Sequence, residues 1–317
     1  MTIKHINIGI VHYPGALLSA VQGLTELFYL ANNLCHQHHI EVTFNTQILA
    51  EREITQATQT DTPQTFHVII LPPGLKESGY IPKEPAPDLT HWLRYQHQRG
   101  AILSSVCAGA FLLAQTGLLA QRQATTHWAL ADDFAKRYPQ IKLNASKILI
   151  NDGDLITAGG IMSWIDLGLA LVGQFSQPQI MRYLGKYLIV DTAPREQSYY
   201  QSFAPKLAHG DGAILTVQHY LQAHFHTPIA ISSLATMCHL TQRTLLRRFV
   251  KATGLKPSQY LQRLRIQKAC DLIESRSDTV ETIAAHVGYE DLSAFRRAFI
   301  KITGQTPKAF KQRFVGH

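Results

Sequence analysis

The 317-residue sequence predicts two fold classes in one chain. Residues 1–190 read as an α/β domain with a mostly parallel sheet and helices on both faces. Residues 213–317 read as an all-α domain. Three observations predict this. Short β-branched apolar runs alternate with helical apolar patterns through the first part. The last part holds the same helical device twice. Charge is divided between them: residues 213–317 carry 15 Lys+Arg against 6 Asp+Glu, a net of +9, whereas residues 1–212 carry 15 against 16, a net of −1. A basic module joined to a near-neutral domain is the electrostatic footprint of nucleic-acid binding.

In the first part, HINIGIV, EVTFNTQIL, HVIILP, AILSSV and KILIND are the expected strands. LLSAVQGLTELFYLANNLC, DLTHWLRYQHQRG and AFLLAQTGLL are the helices between them. A later helix, SWIDLGLALVGQF, is mostly apolar, which suits a buried face or a dimer contact. Residues 191–212 are polar, hold prolines and glycines, show no periodicity, and read as a linker.

The second part is organised by the stretch from Pro228 to Phe314. In the first copy, about residues 231–254, ISSLATMC is a short helix, His239-Leu240 a turn, and TQRTLLRRFVKATG a basic helix stopped by Gly254. In the second, about residues 280–304, VETIAAHV is the short helix, Gly288-Tyr289-Glu290 the turn, and DLSAFRRAFIKITG the basic helix stopped by Gly304. Leu245 and Phe249, and again Phe295 and Phe299, are four apart and mark inward faces. Two amphipathic hairpins with solvated charges are the plainer alternative; repetition of caps and cationic faces favours two helix-turn-helix motifs, whose second helices enter the DNA major groove.

Gln242, Arg243, Leu246 and Arg247 form the expected outward face of the first basic helix; Leu292, Ser293, Arg296 and Arg297 form that of the second. Arginine suits bidentate contact with guanine. Arg248, Lys251 and Lys301 are expected at phosphates.

This segment resembles the AraC/XylS-type DNA-binding domain over about the last hundred residues. Ala284, Gly288, Tyr289, Phe295, Arg297, Phe299, Gly304 and Pro307 carry the likeness, with Arg265 and Ala269 in the joining helix SQYLQRLRIQKACDLI. The resemblance implies two recognition helices in successive major-groove turns, roughly 34 Å apart.

In SSVCAGAFLLAQTGLL, a strand runs into Cys107 and a helix starts at once, the outline of a nucleophile elbow. The helix N-terminus would favour thiolate there. Ala124-Thr125-Thr126-His127-Trp128 follows twenty residues on. These features resemble the ThiJ/PfpI branch of the class I glutamine amidotransferase-like fold, over roughly residues 5–190, and imply a flavodoxin-like sheet. TAGGIMSWIDLGLALV resembles the form of that domain fused to AraC-type domains, the GlxA-like regulators.

Aligning Glu26-Leu27-Phe28 on the Glu-Val-Phe motif of that group places Ala20 where the family has an acid. An elbow cysteine without its acid lacks one means of tuning its pKa. The expectation is therefore no enzyme activity and no catalytic residue. Cys107, His127, Ala20, Gly74 and Ala108 are instead expected to line an effector pocket at the carboxyl ends of the strands. A cysteine after a buried strand is also often just a small hydrophobe.

The four cysteines, Cys35, Cys107, Cys238 and Cys270, lack metal-site spacing. No cofactor and no metal are expected. The start lacks a signal-peptide pattern and no apolar run would span a membrane, so a cytoplasmic location is expected. The sum is a sequence-specific transcription regulator with operator DNA, a small effector, a second copy of itself and RNA polymerase as expected partners. An active cysteine hydrolase with secondary DNA binding and a non-specific nucleoid-binding protein are the alternatives.

Overall fold

Strand β1 (Lys4–His12) starts a six-stranded sheet because Ile6, Ile8 and Ile10 alternate inward and are fully buried. A computed structural model describes residues 3–52, 54, 64–74, 87–192, 195–276 and 278–315. With β2 (Val42–Ala50), β3 (Val68–Leu71), β4 (Ile102–Val106), β7 (Leu149–Asn151) and β8 (Leu155–Ala158), the strand order is β2-β1-β3-β4-β8-β7. All pairings are parallel except β7 with β8. Strands β5 (Gln123–Ala124) and β6 (Lys142–Leu143) form a separate parallel pair.

Helix α1 (Leu18–Gln37) crosses from β1 outward to β2, and α2 (Pro87–Gln98) crosses from β3 in the opposite direction to β4. Right-handed crossovers in opposite directions put helices on both faces. Helix α3 (Gly109–Gln115) leaves β4 through Cys107, and α4 (Ala131–Arg137) follows. Helices α5 (Trp164–Phe175) and α6 (Pro178–Leu188) pack with α1.

Several elements carry no clear signal in the sequence, β8 and α6 among them. Strand β8 is only four residues, LITA, behind the tight turn at Gly153, and it completes an antiparallel hairpin with β7. Helix α6 starts at Pro178, a favoured first-turn residue, and its left-handed end at Ile189 lacks the glycine that would have marked it.

Of the two places expected for helix α5, it takes the buried face. Leu167, Leu169, Leu171 and Val172 are buried in the unit's own core, and none of residues 163–173 is exposed. Gly23 of α1 accommodates the Trp164 ring, and Gly168 the Leu27 side chain. That face is covered within the unit by α1 and α6.

The chain divides into compact units Met1–Gln197 and Ser198–His317. Within the span expected to be a linker, residues 195–197 are tied to the first unit, and residues 193 and 194 lie outside the described residues. Residues from Ser198 onward dress the second unit. The Phe203 ring meets Tyr260 edge-on at 5.2 Å, and His209 pairs with Gln218 at 2.7 Å.

The second unit holds α7 (Gly212–Ala223), α8 (Ile231–Met237), α9 (Gln242–Thr253), α10 (Pro257–Ser275), α11 (Val280–His286), α12 (Leu292–Thr303) and α13 (Pro307–Phe314). One core gathers Ile214, Val217, Leu221, Leu234, Leu245 and Phe249; another gathers Ile273, Ile283, Phe295, Phe299 and Phe310. Helix α10 serves both, with Tyr260 and Leu264 in the first and Ile266, Ala269 and Ile273 in the second.

Candidate nucleic-acid interface and elbow site

Helices α9 and α12 are built from one local recipe. Thr241 caps α9 by accepting from Thr244 N–H at 3.2 Å, and Asp291 caps α12 by accepting from Ser293 N–H at 2.7 Å. At the other ends, Thr253 and Thr303 donate to the carbonyls of Phe249 and Phe299 at 2.7 and 2.8 Å. Gly254 and Gly304 then turn left-handed, both with φ of 76°. The short helices before them end alike too, at His239 (φ 52°) and Gly288 (φ 84°).

With Phe249 and Phe299 buried at the same register, the outward residues follow. Gln242, Arg243, Leu246, Arg247 and Lys251 are exposed on α9; Ser293, Arg296, Arg297 and Lys301 are exposed on α12. Arg247 and Arg297, like Lys251 and Lys301, occupy equivalent places in the two copies. Arg296 lies 3.3 Å from Glu281, and Arg297 3.6 Å from Asp291. Both pairs are open to water, where such contacts contribute little and exchange readily for a stronger anion.

Two residues of the expected face depart from it. Leu292 is half-buried against the second core, because the first side chain of a helix leans back over the preceding turn. Arg248 forks onto Asp211, Nη2 to Oδ1 at 2.6 Å and Nε to Oδ2 at 2.9 Å. Asp211 also caps α7 by accepting from Ile214 N–H. This pair holds the Asp211 carboxyl below its ordinary range. The second copy has Ala298, buried, at the equivalent place. Arg248 is thus positioned as a brace between α9 and α7 rather than at a phosphate.

Arg265 went unassigned to a role in the sequence, although it lies in the joining helix. It donates to three main-chain carbonyls: Phe225 at 2.7 Å, Thr227 at 2.9 Å and Gly288 at 2.9 Å. Its guanidinium also lies 5.5 Å from the centre of the Tyr289 ring. Phe225 and Thr227 lead into the first motif, and Gly288 and Tyr289 form the turn of the second. The two motifs are therefore fastened across one guanidinium.

In the first unit, the elbow is present as geometry. Cys107 has φ of 54°, a conformation non-glycine residues rarely take outside functional turns. Its N–H donates to Ala158 at 2.8 Å, and its carbonyl accepts from Thr126 Oγ1 at 2.8 Å. Gly109 follows because a Cβ there would lie 2.4 Å from the Leu71 carbonyl. Leu17 N–H reaches Pro73, and Ala16 bridges Gly74, so the loop after β3 lies against the start of α1.

The chemistry differs from the elbow expectation. Burial pushes the Cys107 thiol up to about 12, outweighing the Ala108 N–H that favours thiolate. The helix N-terminus does not win, because Cys107 is only 4 % exposed. Ala20, Gly74 and Ala108 are buried as well, so His127 alone of the five pocket candidates is part-exposed. Burial lowers the His127 pKa, and its Nδ1 accepts from Ala129 N–H at 3.1 Å. A thiol held protonated by burial is poorly equipped for nucleophilic attack. Among the described residues, no group of three or more His, Cys, Asp or Glu side chains could hold a metal ion. No described helix is long and apolar enough to cross a membrane.

A residue outside the sequence reading, Gln197, packs beside this loop. It is 3 % exposed, and its Oε1 accepts from Trp128 N–H at 3.1 Å.

Comparison with known proteins finds a family match within each unit. Residues 30–174 match the DJ-1/PfpI family, and residues 234–313 match the helix-turn-helix domain family. The chain is 29 % identical over 224 residues to the HTH-type transcriptional regulator CdhR of Pseudomonas aeruginosa, a match covering 70 % of this chain and 66 % of that protein. It is 24 % identical over 222 residues to the HTH-type transcriptional regulator GlxA of Rhizobium meliloti, covering 70 % and 68 %. A crystal structure of a protein from Vibrio parahaemolyticus shares the fold, with a TM-score of 0.50 and 18 % identity, over 58 % of this chain and all of that one.

Proposed function

We propose that the chain, whose DJ-1/PfpI and helix-turn-helix matches give it the layout of a GlxA-like transcriptional regulator, reads a specific operator and couples that reading to a small effector. The observation that carries the reading is the pair of equivalent arginines, Arg247 and Arg297, exposed on two helices fastened by Arg265. Two motifs fixed in one unit read one continuous site. Their remaining contact residues differ, Arg243 and Leu246 against Ser293 and Arg296, so each protomer reads two unlike tracts. Lys251 and Lys301 supply sequence-independent phosphate contacts.

The first unit is a sensor in this account. Its elbow keeps enzyme geometry, while the high thiol pKa and Ala20 favour binding over turnover. The effector site lies around Cys107 and His127. A second copy of the chain and RNA polymerase complete the proposed partners.

Genome-wide mapping of bound DNA tests the reading. A small set of sites sharing two tracts about one helical turn apart supports it. Uniform coverage without a shared sequence refutes it. Compounds processed by the products of neighbouring genes then become effector candidates, assayed by their effect on operator affinity.

A further inference from the structure

We infer that Arg195, Glu196 and Gln197 form a clasp that carries the state of the Cys107 elbow to the boundary of the DNA-reading unit. The inference rests on the reading of the first unit as a sensor. Three consecutive residues each engage that unit, Arg195 at α5 and both Glu196 and Gln197 at residues 146–147. The Arg195 guanidinium reaches both carboxylate oxygens of Asp166 on α5 at 3.0 Å. Glu196 takes the Lys147 ammonium at 2.6 Å and forms an antiparallel bridge with the same residue. Gln197 N–H donates to Ser146 at 2.7 Å.

The Gln197 side chain completes the clasp. Its Nε2 lies 2.9 Å from the Thr126 carbonyl, 2.8 Å from the Lys147 carbonyl and 3.1 Å from Thr125 Oγ1, so two protons serve three acceptors. Gly159 is required for this approach, since a Cβ there would sit 1.8 Å from Nε2. A buried amide with both ends engaged is costly to expose, which makes the seat two-state rather than graded.

The same loop touches the elbow. Thr126 donates through Oγ1 to the Cys107 carbonyl and accepts through its own carbonyl from Gln197. One residue thus separates the strained turn from the clasp. His127 and Trp128, next in sequence, hold the part-exposed candidate and the N–H bound by Gln197. An occupant at Cys107 and His127 that shifts this loop displaces Thr125 and Thr126, two of the three acceptors of Gln197. The next residue, Ser198, begins the second unit. Release of Gln197 therefore frees the covalent connection at its root.

The test uses the full chain and its Thr126→Val, Gln197→Ala and Gln197→Glu variants. Thr126→Val removes only the link to the Cys107 carbonyl. Gln197→Glu keeps the shape and the acceptor for Trp128 but loses the donor. Hydrogen exchange is followed by mass spectrometry, and affinity is titrated on the mapped operator. Each variant should melt cooperatively, speed exchange across residues 195–203 by about tenfold or more, and shift operator affinity by about threefold or more. Wild-type exchange at 195–203, or wild-type operator affinity, in Thr126→Val and Gln197→Glu overturns the clasp. The sensor reading fails on a different result, that no compound from the operator's gene neighbourhood changes the operator affinity of the unmodified chain.

Discussion

Arg265 donates to the carbonyl of Gly288 at 2.9 Å, and through that bond the joining helix holds the turn of the second motif. The same guanidinium holds the approach to the first motif through Phe225 and Thr227. Arg265→Ala leaves three carbonyls without their shared donor. It should destabilise the second unit by about 2 kcal/mol or more and uncouple the melting of the two motifs. Scanning calorimetry of the full chain checks both. An unchanged transition would remove Arg265 as the fastener.

The two equivalent turn positions predict opposite responses to glycine. Gly288 cannot accept a side chain, since its φ is 84° and a Cβ would lie 2.5 Å from the His226 carbonyl. His239 takes φ of 52° with a side chain attached. Gly288→Ala should therefore destabilise by more than about 1 kcal/mol, and His239→Gly should be neutral or stabilising by up to about 1 kcal/mol. Denaturant melts of both variants decide it; matching losses would contradict the strain argument.

Arg248 and Lys251 sit on one helix with different partners. Arg248→Ala should weaken the fold and leave the salt dependence of DNA binding unchanged. Lys251→Ala should weaken cognate and scrambled duplexes alike and reduce the salt slope by about one. The Asp211 carboxyl, held low by Arg248, adds stability that is present above its ordinary value of 3.8 and lost as pH falls below it. Asp211→Asn should flatten that acid limb, and Asp211→Ala should cost about 1 kcal/mol through the lost cap alone. An acid limb identical to wild type would contradict the pairing.

Cys107 should be inert as a nucleophile. With the thiol pushed up to about 12, alkylation of the native chain at pH about 8 should run at least about tenfold slower than for a free thiol. The raised value also means that Cys107 favours the folded state below its ordinary 9.0 and loses that contribution as pH climbs toward 12. Cys107→Ala should flatten this alkaline limb. Rapid alkylation, abolished in Cys107→Ala, would revive the hydrolase alternative.

Much of this was legible in the sequence because it depends on short-range pattern. Phe249 and Phe299 announced the buried faces, and Gly254 and Gly304 the helix ends, through local spacing alone. The elbow at Cys107 followed from a strand running into a helix. What escaped depends on partners distant in sequence. Arg248 reads as another cation until Asp211, thirty-seven residues earlier, folds beneath it. Gln197 reads as linker because the four partners of its side chain lie fifty or more residues upstream. The apolar α5 signalled burial correctly, but composition does not distinguish a core from an interface, and α1 and α6 already cover it.

The central claim is that one chain reads two unlike tracts with two rigidly joined helices. Titration against the mapped operator and against the same operator with about five base pairs, half a helical turn, inserted between the tracts tests it most directly. The account predicts that the insertion costs as much affinity as scrambling either tract, and that Arg247→Ala loses about 1–3 kcal/mol on the intact operator only. Equal affinity for intact and interrupted operators would contradict it.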